Sequence, residues 1–459
     1  MKTREQYVFE KARRAIEKIN NCRQTMVPDF CSQANDVVII ASSSRGGSSI
    51  FTELLRHSPE LLHFKGEINP FLALAGFSYP HNGRSSDMLV EDDVGLRHAG
   101  KLAHLQREMG FDVGVTEKVD LRAPKMYERF LHDLHWRICV QWPEIDIERE
   151  DLFSAVDQTL NELHHTYGWY LGEFKDPQLF HILFLRNMRR RYKTINPYYY
   201  DLRPDLIREY CPDATPNFAS PSCFIIEEPP FVPIVPKQYV TAESVKTKPL
   251  ILKTPSNVYR LPFLKSLFCN ARFRILHLVR NPADAINGLV DGWRYNGFFS
   301  HKVNKRLEIK GYSDLFSVWG KNWWKYDLPP GWEEYSDRPL EYVCGYQWNS
   351  AHREIINYTE RNEIDCLRIK FEDVIGPVPG RREVFWRICN WLGINGREII
   401  SAAMAEDLPP VMVTTNIPPR KRRWFKKAEL IRPVLVDPGL GILTTAKKLG
   451  YSLDEEIGK

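Results

Sequence analysis

The sequence predicts an α/β fold: a central parallel sheet flanked by helices, with a large, mostly helical insertion. Three observations predict it. The run VVII, residues 37–40, stops at a Ser/Gly cluster and is followed by residues at helical spacing. The block PLILKTPSNVYRLPFLKSLFCNARFRILHLVRNPADAINGLVDGW then reads as strand, helix, strand, helix. Between these two stretches the alternation is missing. Short, continuous, branched apolar runs are the mark of strands covered on both faces, and their alternation with helices is the mark of βαβ units.

The elements follow in order. Residues 1–36 form an N-terminal helical segment in which Val8, Phe9, Ala12, Ala15, Ile16 and Ile19 share one face. Residues 37–40 are too few and too branched for a helix and read as a buried strand. Ile50, Phe51, Leu54 and Leu55 follow at helical spacing, closed by His57-Ser58-Pro59. Residues 37–75 are the first half of the core. Residues 76–249 read as an insertion that would recognise substrate, with helices at 127–140 and 151–170 and a Pro-rich, extended exit, IIEEPPFVPIVPKQYV. Residues 250–459 are the second half: a strand at 250–252 ending in Lys253-Thr254-Pro255, a helix at 258–268, and a strand at 274–279 ending in Arg280-Asn281-Pro282. A helix from near Ala283, a strand in CLRIKFEDVI and a helix at 382–392 complete it.

Composition bounds the function classes. The chain has 459 residues, 43% apolar and 26% charged, which is ordinary for a globular protein. Its 24 Phe, 20 Tyr and 12 Trp argue against disorder. A net charge of +5 suits a small acidic ligand as well as nucleic acid, and no nucleic-acid module accompanies it, so no nucleic-acid partner is expected. The nine Cys are scattered without a C-x-x-C pair, so neither a zinc site nor a disulfide framework is signalled, and free thiols in a reducing compartment are expected. The first twenty residues are charged throughout, unlike a signal peptide, and no apolar run approaches the roughly 20 residues of a membrane span. The expectation is a cytoplasmic protein.

The stretch ASSSRGGSSIFTELL carries the chemistry. A strand, a Gly-Ser turn and a helix make an anion site, because the first free N–H groups of the helix point at the ligand and its dipole favours negative charge. Gly46 and Gly47 let the backbone wrap closely, Ser48 and Ser49 add hydroxyl donors, and Arg45 grips oxygens as a fork. The bland alternative is a serine-rich turn that binds nothing. A triphosphate loop would need G-x-x-x-x-G-K-[ST]; here Ser48 stands where the Lys belongs and Ser42 where the first Gly belongs. The later strand ends in Arg280, where a magnesium-holding enzyme would offer Asp. Arg45, Lys253 and Arg280 each follow a strand, and strand C-termini line one edge of a parallel sheet. That is charge enough for two phosphate groups without a metal.

With these residues in place the sequence resembles the sulfotransferase superfamily, which uses 3′-phosphoadenosine 5′-phosphosulfate (PAPS) and releases 3′-phosphoadenosine 5′-phosphate (PAP). SSSRGGSSIFTELLRHSPEL resembles the 5′-phosphosulfate loop in the Arg form seen in protein-tyrosine and many bacterial members. LILKTPSNVYRLPFLKSLFCNARFRILHLVRNPADAINGLVDGW resembles the block from the lysine strand to the 3′-phosphate site, and RIKFEDVI…FWRICNWLGI with RKRRWFKKAELI…AKKLGYS resembles the C-terminal elements. Together they cover about half the chain.

The resemblance implies a P-loop-like nucleotide site in which Arg45, Gly46, Gly47, Ser48 and Ser49 hold the 5′-phosphosulfate and Arg280 the 3′-phosphate. Relatives usually have Ser eight residues after that Arg; here the position is Gly288, preceded by Asn287, which is the candidate stand-in. Arg420, Lys421, Arg422 and Trp424 resemble the late segment that closes over the nucleotide, against the plainer reading of a solvated charged turn. Many relatives place a catalytic His after the strand Lys, where this chain has Thr254. The tyrosine-type relatives use a Glu after the first helix, which points to Glu67 as base, with His63 as rival. Lys253 and Arg45 complete the implied catalytic set. The acceptor would be a hydroxyl on a small molecule, glycan or peptide, and no metal is required. The other classes left open are a magnesium-dependent nucleotide kinase and a non-catalytic nucleotide- or glycan-binding relative. The basic, aromatic stretch RNMRRRYKTINPYYYDL fits an acidic glycan or peptide less well than a turn whose Tyr side chains pack on the domain. His164, His165 and His277 read as structural.

Overall fold

The computed structural model describes residues 3–23, 27–115, 119–170, 174–217, 219–238, 240–406, 408 and 421–457. These residues hold seven strands: β1 (Asp36–Ala41), β2 (Leu62–His63), β3 (Leu250–Lys253), β4 (Arg272–Val279), β5 (Phe299–Lys302), β6 (Trp323–Lys325) and β7 (Asp365–Lys370). Five form one all-parallel sheet in the order β2-β3-β1-β4-β7, and β5 and β6 form a separate antiparallel pair. The fold is α/β, as the sequence predicts.

Register explains why the strand-end cations share one edge of the sheet. β1 lies between β3 and β4, with Ile40 opposite Lys253 on one side and Leu276 on the other. The carboxyl ends of β3, β1 and β4 therefore stand side by side. Both faces of β1 are covered, which is why its apolar run does not alternate. Val37, Ile39 and Ala41 pack with Ile16, Leu72, Leu264 and Ile355, whereas Val38 and Ile40 pack with Phe51, Leu54, Phe385 and Ile388. The N-terminal helix Arg4–Asn20 buries Val8, Ala12, Ile16 and Ile19, with Phe9 and Ala15 half-buried beside them.

Residues 76–249 are helical where regular, including Ala99–Asp112, Pro124–Gln141, Arg149–Tyr167 and Pro177–Arg189, and none of the seven strands lies in this stretch. The segment does not have a core to itself. Phe130, Leu152, Phe180 and Leu183 belong to the same cluster as Ile286, Trp293, Trp324 and Trp348. Its basic stretch is tied into it: Arg189 pairs with Asp213 at 2.6 Å, Arg191 with Asp151 at 2.5 Å, and Tyr199 and Tyr200 are buried. His277 is structural too, its ring 2.9 Å from that of the equally buried His352.

One element differs from expectation. The helix expected at 258–268 is a 3-10 turn, Pro255–Tyr259, followed by a helix at Leu261–Leu267. Pro262 is tolerated only in a first helical turn, so the helix restarts there. Arg260, between the two, is buried against Asp87 at 2.8 Å. No described helix is long and apolar enough to cross a membrane, and all nine cysteines are free.

Candidate functional site

The loop after β1 turns sharply. Arg45 has φ 59° and Gly47 φ 97°, both left-handed. Gly47 must be glycine, because a Cβ there would lie 2.6 Å from Cζ of Phe371. The helix Ser48–Leu55 begins at Gly47 with no side chain capping it, so its first N–H groups face the loop without a protein acceptor from the cap. Ser48 is buried and Ser49 half-buried in this first turn. Ser44 plays a different part. Its Oγ donates to Asp327 Oδ1 at 2.6 Å, and Tyr259 OH donates to the other oxygen at 3.3 Å. Burial pushes Asp327 up to about 6 against those two donors.

Arg280 reaches the same loop from the end of β4. Its Nη1 donates to the Arg45 carbonyl at 2.9 Å, and its guanidinium lies 5.3 Å from the centre of the Phe371 ring. Burial pushes this guanidinium below its usual range; Asp284 and Glu372 oppose that, while Arg45 and Arg423 add to it. Gly288 lies on the helix Pro282–Trp293, where a Cβ would be 3.5 Å from Arg45 Cβ and 3.7 Å from Arg280 Nη1. The Asn287 amide donates instead to Asp291 at 3.5 Å.

Lys253 and Glu67 meet. Nζ is 2.6 Å from Oε1, with the lysine side chain 13% exposed and the glutamate 32%. Thr254 explains the geometry. It is fully buried, and its Oγ1 accepts from the Ile68 N–H at 3.0 Å while donating to the Lys253 carbonyl at 2.8 Å. The residue after Glu67 is thus bolted to the residue after Lys253. His63, at the end of β2, is held neutral well below the usual range by burial first, then by Arg56 and Lys65. Glu67, rather than His63, is the group paired with Lys253.

The late basic segment docks on the helix Pro282–Trp293. The Arg422 N–H donates to Asp284 Oδ2 at 3.0 Å, Arg423 pairs with Asp291 at 3.1 Å, and Lys427 pairs with the other oxygen of Asp291. The Lys421 side chain is exposed and Trp424 is buried against Phe425. Arg420 lies outside the described residues.

Several groups at this edge escape sequence reasoning. Asp87 is fully buried between Arg260 and His301, which hold it below the carboxylate range. Arg260 then passes the link to Asn69 at 2.6 Å, and Asn69 to Glu67 at 3.5 Å. Glu228 comes from the Pro-rich exit; burial, then the charge of Glu67, pushes it up to about 8. The only signal in the sequence is a pair of acids, Glu227-Glu228, inside an otherwise apolar run. Because its folded value lies above the unfolded one, the stability linked to Glu228 is present at acid pH and lost as pH rises through about 8. Glu228→Gln therefore gains in melting temperature relative to wild type as pH is raised from 5 to 8, and the difference is flat above 9. A pH series of melting curves reads this directly.

Among the described residues no group of three or more His, Cys, Asp or Glu could hold a metal ion. A cavity of about 500 Å³, lined by Lys11, Lys18, His132, His135 and Arg149 among others, shares no residue with the sheet-edge cluster.

No family model matches the sequence, and no curated protein does. Two solved structures align with most of the chain. One is a sulfotransferase domain from the curacin biosynthetic pathway, 12% identical, covering 91% of this chain and 98% of that one, with a TM-score of 0.36. The other is a sulfotransferase domain from the Synechococcus PCC 7002 olefin synthase, 14% identical, covering 91% and 96%, with a TM-score of 0.34. Superpositions this loose settle neither fold nor chemistry, and what this chain does has to be read from its own residues.

Proposed function

We propose that the protein is a sulfotransferase that moves a sulfuryl group from PAPS to an acceptor hydroxyl and releases PAP. The observation that carries the reading is the pairing of Lys253 with Glu67 beside a loop whose Arg45 carbonyl is gripped by Arg280. A base, a leaving-group donor and an anion cradle stand on three adjacent strand ends.

PAPS supplies an activated sulfuryl group on a phosphate leaving group. Arg45 and the N–H groups at the start of the Ser48–Leu55 helix hold the 5′ end; Ser48 and Ser49 add hydroxyls. Arg280 holds the 3′-phosphate, with the helix backbone around Asn287 and Gly288 beside it, and Lys421 and Arg422 border the site. Glu67 takes the acceptor proton. Lys253 leaves its ion pair to donate to the bridging oxygen as charge builds there, and Arg45 stabilises the equatorial oxygens. No step needs a metal. Positioning and fixed charge supply most of the rate, as in phosphoryl transfer.

The test is a thermal shift with PAP, against adenosine 5′-phosphate and ATP with magnesium. A ligand at 100 times its dissociation constant stabilises by about 2.7 kcal/mol, enough to move the melting temperature by a few degrees. PAP shifts the wild type, the controls do not, and Arg280→Ala loses the shift. A response to ATP with magnesium alone assigns the site to a kinase; no response to any nucleotide removes the reading.

A further inference from the structure

We propose that the Tyr326 hydroxyl is a further ligand-binding donor of the anion site, reaching the 5′-phosphate end of the donor beside Arg45. The proposal rests on the sulfotransferase reading for the identity of the ligand, but not for the existence of an anion there.

The chain goes to some length to place this group. Tyr326 has φ 64°, a left-handed conformation uncommon for a large side chain and typical of residues held for a purpose. The neighbours on both sides pin it. Lys325 is buried among aromatic rings, 5.1 Å from the centre of Phe299 and 5.2 Å from that of Trp319, and its Nζ donates to the Tyr295 carbonyl. Asp327 takes Ser44 of the loop on its side chain and Trp324 Nε1 and Gln347 Nε2 on its carbonyl, both at 2.9 Å. Room for the phenol is made by Gly292: a Cβ there would collide with the Tyr326 hydroxyl itself and lie 2.7 Å from its Cζ.

Gly292 also fixes where the hydroxyl lies. Gly288 and Gly292 are four apart on one helix and so share a face, about 5–6 Å apart. The space over Gly288 is filled by Arg45 and Arg280; the space over Gly292 is filled by Tyr326. The Phe298 ring ties the two together, 5.5 Å from the Arg45 guanidinium and 4.8 Å from the Tyr326 ring. Tyr326 is 7% exposed, and among the described residues its hydroxyl has no hydrogen-bond partner. A buried phenol normally has an acceptor. Of the charges facing it, Arg45 is a cation, Glu228 is pushed up to about 8 by burial, and Asp291 is already paired with Arg423 and Lys427, so the acceptor assigned to it is an anionic oxygen held by Arg45. Burial pushes the phenol well above its usual range, with Arg45 pulling the other way and Glu228 and Asp291 adding to the rise, so it remains a donor at working pH.

The test compares wild type with Tyr326→Phe by calorimetric titration, using inorganic pyrophosphate as a mimic of the phosphosulfate end and PAP as the nucleotide, together with the melting temperature of the free protein. Removing a hydroxyl that has no partner leaves the free protein as stable as before, and losing a hydrogen bond to a charged group weakens pyrophosphate and PAP roughly tenfold. Equal affinities in the two proteins overturn the role of the hydroxyl while leaving the sulfotransferase reading intact. A large drop in the melting temperature of the free variant also overturns it, because it means the hydroxyl is structural. Pyrophosphate binding that depends on Tyr326 without any PAP binding supports the hydroxyl and overturns the nucleotide. A wild type that binds neither overturns both.

Discussion

Glu67→Gln and Lys253→Ala each lower turnover by on the order of 100-fold or more, while PAP still binds. The geometry makes the two substitutions informative together. The two side chains form a 2.6 Å ion pair at a partly exposed edge, so breaking it costs little stability and the variants stay folded. Glutamine keeps the length of Glu67 and its hydrogen bond to Lys253 but cannot take a proton. A loss in Glu67→Gln is therefore a loss of the base, whereas a purely orienting role would survive. Lys253→Ala leaves the base in place and removes the donor to the leaving oxygen, so its effect is smallest with sulfuryl donors whose departing group is least basic. PAP formation from PAPS in the presence of a panel of hydroxyl acceptors measures both. Near-normal turnover in either variant removes that residue from the chemistry, and a loss of PAP binding moves it from catalysis to affinity.

How much of this is legible in the sequence follows the distance over which each feature is decided. The strands β1, β3, β4 and β7 are local events, short branched runs ended by Gly, Pro or a charged residue, and they appear where the sequence places them. Arg45, Lys253 and Arg280 can be gathered at one edge because a parallel sheet brings its carboxyl ends together whatever the intervening chain does. The two-residue strand β2 has too few side chains to show a period. The pair β5 and β6 is joined by some twenty residues and held by aromatic packing rather than by a turn signal. The site groups that the sequence does not reveal share one property: their partners lie far off in the chain. Ser44 meets Asp327 across 283 positions and Arg260 meets Asp87 across 173. Tyr326 and Glu228 sit in irregular segments that carry no periodic signal, and Tyr326 packs in the cluster that joins Phe130 and Phe180 to Trp293 and Trp324. In the sequence Thr254 stands out only as the absence of a histidine; the structure gives it a hydroxyl that locks Glu67 beside Lys253.

Gly47→Ala destabilises the protein by on the order of 3 kcal/mol and abolishes anion binding, whereas Gly288→Ser changes stability by less than about 0.5 kcal/mol. Both glycines border Arg45 and Arg280, but they are glycine for different reasons. At Gly47 two penalties act on one methyl group. The backbone is at φ 97°, which an L side chain rarely adopts, and the new carbon would lie 2.6 Å from Cζ of Phe371. Phe371 cannot yield, since it is 1% exposed and packed with Val38, Leu276 and Phe385. The same ring lies under Arg280, so whichever moves, the loop or the ring, the grip of Arg280 on the Arg45 carbonyl goes with it. Affinity for pyrophosphate and stability in denaturant therefore fall together. At Gly288 the helix is regular and a Cβ meets its neighbours at 3.5 and 3.7 Å, ordinary contact distances. A Cβ is accommodated there and points a serine hydroxyl toward polar neighbours, Arg280 Nη1 and the Arg45 carbonyl, so Gly288→Ser is expected to keep its unfolding midpoint and to bind PAP at least as tightly as wild type. Parallel denaturation and binding curves for the two variants test both claims. Equal stability in both would mean that the Phe371 ring does not fix the loop, and weaker PAP binding in Gly288→Ser would place the 3′-phosphate away from Arg280.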